Sequence, residues 1–308
     1  MAQNLTLAFP SVPGLARPGL ASPGVPAPLA VAVTGSLVAR RSPARRSRAV
    51  SGRPGTALAA PYITAGTGTA GNSGSSTVLT QAVTIPAGLA ANSLVLLVAQ
   101  AIILTATPVT ITASSAGTLP APAVAPVTGS ESLPASVTGS VFQFTSSAAD
   151  AGAVITLTSS AACYWAWALY SWTGSSGAAP AVDVISGAFG GAGSASVTCP
   201  VLSTGAAGDW GVCLGGGAAE GGAFGVPPGT ARESSYSGSD VGAGITDSGG
   251  PVGAAGASIG GGTFTAGSAG NSLLTAFTAG ITLPSAAAAA VPFTPPAGGC
   301  AWVRSSYY

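Results

Sequence analysis

Six arginines crowd into a short stretch: Arg40, Arg41, Arg45, Arg46, Arg48 and Arg53. A guanidinium keeps its charge at physiological pH and offers its N–H groups as a fork to carboxylate or phosphate oxygens. The chemistry of such a run is docking on an acidic surface, not bond-making. Arg17 lies upstream, and no acid precedes Glu131. All eight acids fall between Glu131 and Asp247, where Arg232 is the only base; Arg304 lies beyond. A near-neutral total of +1 therefore hides an arm of about +7 joined to a body of about −6.

The body offers little for catalysis. The chain contains no His and no Lys, which removes Ser-His and Cys-His pairs, Schiff bases and Ser-Lys dyads. A glycosidase would need two carboxyls facing across a cleft. Asp183, Asp209, Glu220 and Glu233 are candidates for such a pair, but nothing in their spacing favours it. Gly215-Gly216-Gly217 and Gly260-Gly261-Gly262 do not complete a phosphate-loop motif and are expected to be turns. Asp240 and Asp247 do not fit an EF-hand loop. Cys163, Cys199, Cys213 and Cys300 have no CxxC spacing and no His to complete a zinc site. Their spacings leave the disulfide pairing open, and buried free thiols are the plainer expectation. No enzyme activity, cofactor or metal is expected.

Four stretches must position these residues. Residues 1–60 read as an extended basic arm. A five-residue period, Pro13-Gly14-Leu15, Pro18-Gly19-Leu20, Pro23-Gly24-Val25, lets neither helix nor ladder propagate. Leu15, Leu20 and Val25 would be apolar pegs along a strap. One short strand is expected at Val31–Val38. At about 3.1 Å per residue the arm up to Arg53 reaches ~160 Å, enough to cross a neighbouring subunit. Residues 61–76 read as a Gly/Thr/Ser linker, 77–285 as the body, and 286–308 as a C-terminal tail that opens with the Ala286–Ala290 run.

Within the body, short Val/Ile/Leu/Thr runs alternate with Gly/Pro/Ser clusters. The expected strands are Thr77–Ile85, Leu94–Leu104, Val109–Ala113, Ser140–Thr145, Ala153–Ser159, Cys163–Trp172, Val182–Ile185, Ala195–Cys199, Trp210–Leu214, Gly256–Gly260, Thr263–Ala266 and Leu273–Leu283. This pattern predicts an all-β fold, a jelly-roll-like β-sandwich preceded by the extended Pro/Gly/Arg-rich arm. In the aromatic stretch, Cys163, Trp165, Trp167 and Leu169 should share one face. Tyr164, Ala166, Ala168, Tyr170 and Trp172 should share the other. Both faces are apolar, so a central strand is expected. The sharper alternative is a glycan platform of exposed aromatics, for which Tyr170 and Trp172 are the candidates.

Only 6% of residues are charged, against about 25% in ordinary globular domains. A GC-rich coding bias contributes to this. A surface covered by like or unlike subunits explains it further, so a homo-oligomer or a larger assembly is expected. The longest apolar run, Leu94–Leu104, is about half of what a membrane-crossing helix needs, and no signal peptide is expected. The arginine run lacks aromatics for base stacking, the nearest being Phe9 and Tyr62, so a protein surface is preferred to nucleic acid.

Thr84-Ile85-Pro86-Ala87-Gly88, followed by a turn and the apolar Leu94-Val95-Leu96, resembles the opening of β-sandwich domains in virion proteins of tailed phages of actinobacteria. Ala206-Ala207-Gly208-Asp209-Trp210 resembles the equivalent turn of a second half. Gly242–Thr246, the closing Thr275–Leu283 strand and the Pro-Gly-Leu arm fit the same layout. The resemblance implies a structural protein of the virion, either capsid decoration or minor capsid. Its partners would be the major capsid protein or other virion proteins. A tail-fibre or head-fibre module binding host glycans is the alternative. No catalytic residue carries over.

Overall fold

The computed structural model describes residues 61–131, 135–219, 223–236, 241–270 and 272–284. Among them there is no helix, and every paired strand runs antiparallel to its neighbour. The all-β expectation holds. The expected Val31–Val38 strand, the arm, the Ala286–Ala290 run and the tail lie outside the described residues.

The first half of the body runs β1 (Ile63–Asn72), β2 (Val78–Thr84), β3 (Ser93–Ile103), β4 (Ile111–Ser115), β5 (Ala121–Pro122), β6 (Val127–Ser130), β7 (Ser136–Thr145) and β8 (Val154–Gly174). The second runs β9 (Ala181–Phe189), β10 (Ser196–Thr198), β11 (Leu202–Ser203), β12 (Trp210–Ala218), β13 (Phe224–Gly225) and β14 (Thr230–Tyr236). It ends with β15 (Val241–Asp247), β16 (Ser258–Ile259), β17 (Thr263–Ala266) and β18 (Leu273–Thr282). The two halves repeat one pairing scheme. In the first, the inner sheet is ordered β1-β8-β3-β7, with β5 and β6 beyond β7. In the second it is β9-β18-β12-β15-β14. The outer sheets also correspond: β2 and β4 flank the start of β8, and β10 and β13 flank β17. Both third strands, β3 and β12, follow the turns whose sequences look alike, Pro86-Ala87-Gly88 and Ala206-Ala207-Gly208. The body is thus a tandem of two like-wired sandwiches. The jelly-roll order is not confirmed, because the hairpin strands β5, β6 and β14 pair with β7 and β15 rather than with β4 and β13.

Three apolar seams hold the sheets. The two inner sheets meet face to face over Leu94, Leu96, Val98 and Trp172 from one half and Val212, Leu214, Ile245 and Phe277 from the other. A second seam, around Trp165, Leu157 and Phe142, joins the first half's inner and outer sheets. A third, around Phe264, Val197 and Leu274, does so in the second half. Each large side chain in these seams stabilises the fold by about 1.5–3 kcal/mol through its removal from water.

Three readings of the sequence need correction. The Gly/Thr/Ser linker is in fact the edge strand β1, paired with β8 from Ile63↔Gly174 to Asn72↔Ala166. Small residues suit it because Gly71 lies against the Trp167 ring. Ala153–Ser159 and Cys163–Trp172 are one 21-residue strand, not two. Its alternation never slips: Ile155, Leu157, Cys163, Trp165, Trp167 and Leu169 all face the second seam. Ala166, Ala168, Tyr170 and Trp172 face the central one. That split agrees with the expected faces and with the central position. Gly215-Gly216-Gly217 is no turn but part of β12. A Cβ on Gly215 would stand 2.7 Å from the Phe264 ring, and one on Gly242 would stand 2.7 Å from Phe224. The bare backbone is the floor on which this stacked phenylalanine pair lies, with centroids 5.8 Å apart. Gly260–Gly262 connects β16 to β17, as a turn should.

Gly217 has φ 140°, and a side chain there would run into the Leu273 carbonyl. Gly217→Ala should therefore destabilise the body by about 3 kcal/mol or more, read from urea unfolding. A loss under ~1 kcal/mol would mean that the strand relaxes freely at this point.

Candidate functional site

The arm residues singled out from sequence, Arg17, Arg40, Arg41, Arg45, Arg46, Arg48, Arg53, Leu15, Leu20 and Val25, lie outside the described residues. Glu220, Asp240 and Cys300 do so as well. The described body keeps six acids and one base, and the fate of each decides what chemistry remains.

Arg232 is the one base. It sits at an irregularity in the β14–β15 register, between Ala231↔Thr246 and Glu233↔Ile245. A bulged residue can re-aim its side chain, and this one turns toward the join between the halves. Its Nε donates to Asp247 Oδ2 at 2.6 Å. Trp172 of the first half donates its indole N–H to the same oxygen at 3.0 Å. The Gly249 N–H fills Asp247 Oδ1 at 2.9 Å. The guanidinium carbon lies 5.6 Å from the Tyr170 ring centre and 5.9 Å from that of Trp210, within cation–π range. Tyr170 packs edge-on to Trp172 and donates its hydroxyl to the Gly66 carbonyl at 2.8 Å. Burial works against the Arg232 cation, but the bond and charge of Asp247 outweigh it and hold its pKa above the ordinary value. Burial pushes the Tyr170 phenol up. The cluster is a filled ion-pair lock across the central seam, with both carboxylate oxygens engaged and no free proton acceptor.

The other acids clamp loops. Asp150 accepts from Thr118 N and Ser147 N, each at 2.6 Å, and from both their hydroxyls. Burial alone would raise its pKa, but these four bonds pull it down to about 2. Asp183 takes the Gly205 N–H at 2.7 Å and Asp209 the Ala206 N–H at 2.9 Å. These two of the four candidate carboxylates are spent on adjacent amides of one turn. Glu131 accepts from Gly193 N at 3.3 Å. Half-buried Glu233 has its pKa raised by burial.

Tyr170 and Trp172 are not a glycan platform. Their exposures are 7% and 0%, because the strand that carries them is covered on both faces. The lock itself was missed from sequence. A lone Arg among scattered acids was its only signal; Asp247 lies fifteen residues on, on the neighbouring strand, but Tyr170 and Trp172 come from the first half. No group of three or more His, Cys, Asp or Glu able to hold a metal occurs among the described residues. None of the described helices is long and apolar enough to cross a membrane, since there is none. Compared with known proteins, the chain matches no family model, no curated protein and no solved structure.

Arg232→Met keeps the side-chain bulk but leaves Asp247 charged and buried, and should lower unfolding stability by about 3 kcal/mol. Adding Asp247→Asn should restore part of it; strict additivity of the two losses would show that the pair is uncoupled. Asp150 makes a pH prediction. Its folded pKa is about 2 against an ordinary 3.8, so the stabilisation is complete above the unfolded value and lost as pH falls through the folded one. Between pH ~4 and ~2 the protein should lose about 2 kcal/mol from this group, and Asp150→Asn should flatten that limb in acid titrations followed by circular dichroism.

Proposed function

We propose that this chain is a structural virion protein of a tailed phage, a capsid decoration or minor capsid protein anchored on the major capsid lattice by its basic N-terminal arm. The observation that carries the reading is the partition of charge. Arginines gather in residues 1–60, while the described body spends its single base and five of its six acids on internal bonds. A body so quiet electrostatically has little to recruit a charged partner with, and the arm has much.

Two further features support it. The tandem of sandwiches carries few charges and scattered exposed apolar residues such as Leu79, Leu104, Leu119 and Val201, which suits a surface seated among subunits. The turns before β3 and β12, which carry the resemblance to phage β-sandwich proteins, hold equivalent places in the two halves. In this mechanism the arm lies across acidic patches of neighbouring subunits, and many copies raise the effective concentration of each contact. The fibre reading has lost its aromatic platform and no observation favours it.

The test is occupancy on particles. Full-length chain should co-sediment with particles of the phage that encodes it. A chain lacking residues 1–60 should lose at least about tenfold in occupancy, and added salt should weaken full-length binding. Replacing Arg40, Arg41, Arg45, Arg46, Arg48 and Arg53 by Ser should reproduce the loss. Undiminished occupancy of the truncated chain would overturn the anchor, and particle-independent retention on bare DNA would reassign the arm to nucleic acid.

A further inference from the structure

Cys199 and Cys213 are separated in sequence by a turn and a strand, yet meet in the third seam. Cys199 follows β10; Cys213 lies within β12. Three contacts bring them together. The Cys199 N–H donates to the Gly262 carbonyl at 2.8 Å, and a Cβ on Gly262 would stand 3.6 Å from Cys213 Sγ. Thr278, the strand partner of Cys213, donates its hydroxyl to the carbonyl of Pro200, the residue after Cys199, at 2.5 Å. Both cysteines therefore border Gly262 in one seam, close enough for each thiol to bear on the titration of the other.

Their environments differ. Cys199 is fully buried, whereas Cys213 is half-buried and lines a cavity of about 200 Å³ with Gly211, Asp247, Val252 and Ile259. The neighbouring Cys199 thiol holds the Cys213 thiol below its ordinary pKa, against the pull of burial. The same proximity to Cys213, reinforced by burial, pushes Cys199 up. One sulfur is thus the accessible nucleophile and the other its protonated partner. Cys163 has neither feature: it is buried in the second seam, and burial pushes its pKa up.

We propose that Cys199 and Cys213 form a hydroperoxide-responsive pair that closes into a disulfide and staples the outer sheet β10-β17-β13 to β12. The Cys213 thiolate attacks one oxygen of hydrogen peroxide. An S–O bond forms, the O–O bond breaks, and the released hydroxide leaves as water with the proton that Cys213 gave up. The Cys199 thiol then attacks the sulfenic sulfur. The S–S bond forms, the S–O bond breaks, and the hydroxyl leaves as a second water with the Cys199 proton. Two thiols lose two electrons, and one peroxide becomes two waters.

The staple sits where packing is thinnest. Among the described residues the third seam has six buried apolar residues, against seventeen in the corresponding seam of the first half, so the described part of the second outer sheet has the smaller apolar anchor. A covalent tie there restrains the layer that hydrophobic contact holds least.

The test uses the reduced full-length chain, titrated with hydrogen peroxide, alkylated under denaturing conditions and mapped as chymotryptic peptides. A link between the Cys199 and Cys213 peptides is expected, with their alkylation falling about tenfold while Cys163 stays alkylated. The oxidised chain should unfold roughly 5–10 °C higher than the reduced one. Cys199→Ser should leave a dimedone-reactive sulfenic acid on Cys213, and Cys213→Ser should leave Cys199 unoxidised. Full alkylation of both cysteines in the peroxide-treated wild-type chain would overturn the proposal, as would a link from either to Cys163 or Cys300. Equal dimedone labelling of Cys163 and Cys213 in the Cys199→Ser chain would overturn the assignment of Cys213 as nucleophile.

Discussion

A strand covered on both faces is the constraint on which the rest of this body depends. β8 carries Trp165, Trp167 and Leu169 into one seam and Ala168, Tyr170 and Trp172 into another. It pairs with β2 and β4 along its first part and with β1 and β3 along its second. A register slip by one residue would exchange the two sets of side chains, moving tryptophans into space shaped for alanines. One uninterrupted alternation therefore sets the outer sheet, the inner sheet and the face offered to the second half. The second half repeats the wiring with its corresponding strand divided into β17 and β18.

Polar groups inside the central seam specify how the halves meet. Gln100, which interrupts the apolar run of β3, accepts a hydrogen bond from Thr275 of β18 at 2.8 Å. Trp172 and Arg232 converge on Asp247 from opposite halves of the chain. Apolar contact alone would tolerate sliding of one sheet on the other. A buried amide and a buried carboxylate do not, because each loses its partner and keeps its desolvation cost when the sheets shift. The same economy runs through the body's other charges: Asp150, Asp183, Asp209 and Glu131 hold loop amides, and Arg232 holds Asp247.

The strands were legible wherever apolar alternation was strong. β2, β3, β12 and β18 were each expected within a few residues of one end or both, and β17 to the residue. β1 was not, since Gly, Thr and Ala carry no alternating signal, and its ladder exists only because β8 presents an edge. Short strands such as β5, β11 and β13 are equally silent, being two residues each. The joining of two expected strands into β8 was readable in principle: odd positions stay apolar across the Ser160–Ala162 gap, except for Ser159. The glycine run of β12 misled because a turn and a floor for aromatic rings ask for the same residue.

By itself the sequence determined the all-β class, the two faces of the aromatic strand, the absence of His- and Lys-based chemistry, and the split of charge between arm and body. These are local properties, set by residue type and by a period of two along the chain. Only the tertiary structure decided that Tyr170 and Trp172 are buried, that Arg232 meets Asp247 and Trp172, that the halves share one pairing scheme, and that Cys199 lies beside Cys213. Strand pairing brings Arg232 beside Asp247 and sets the shared scheme of the halves, and packing of sheet on sheet brings the rest together across distances in sequence that say nothing of distances in space.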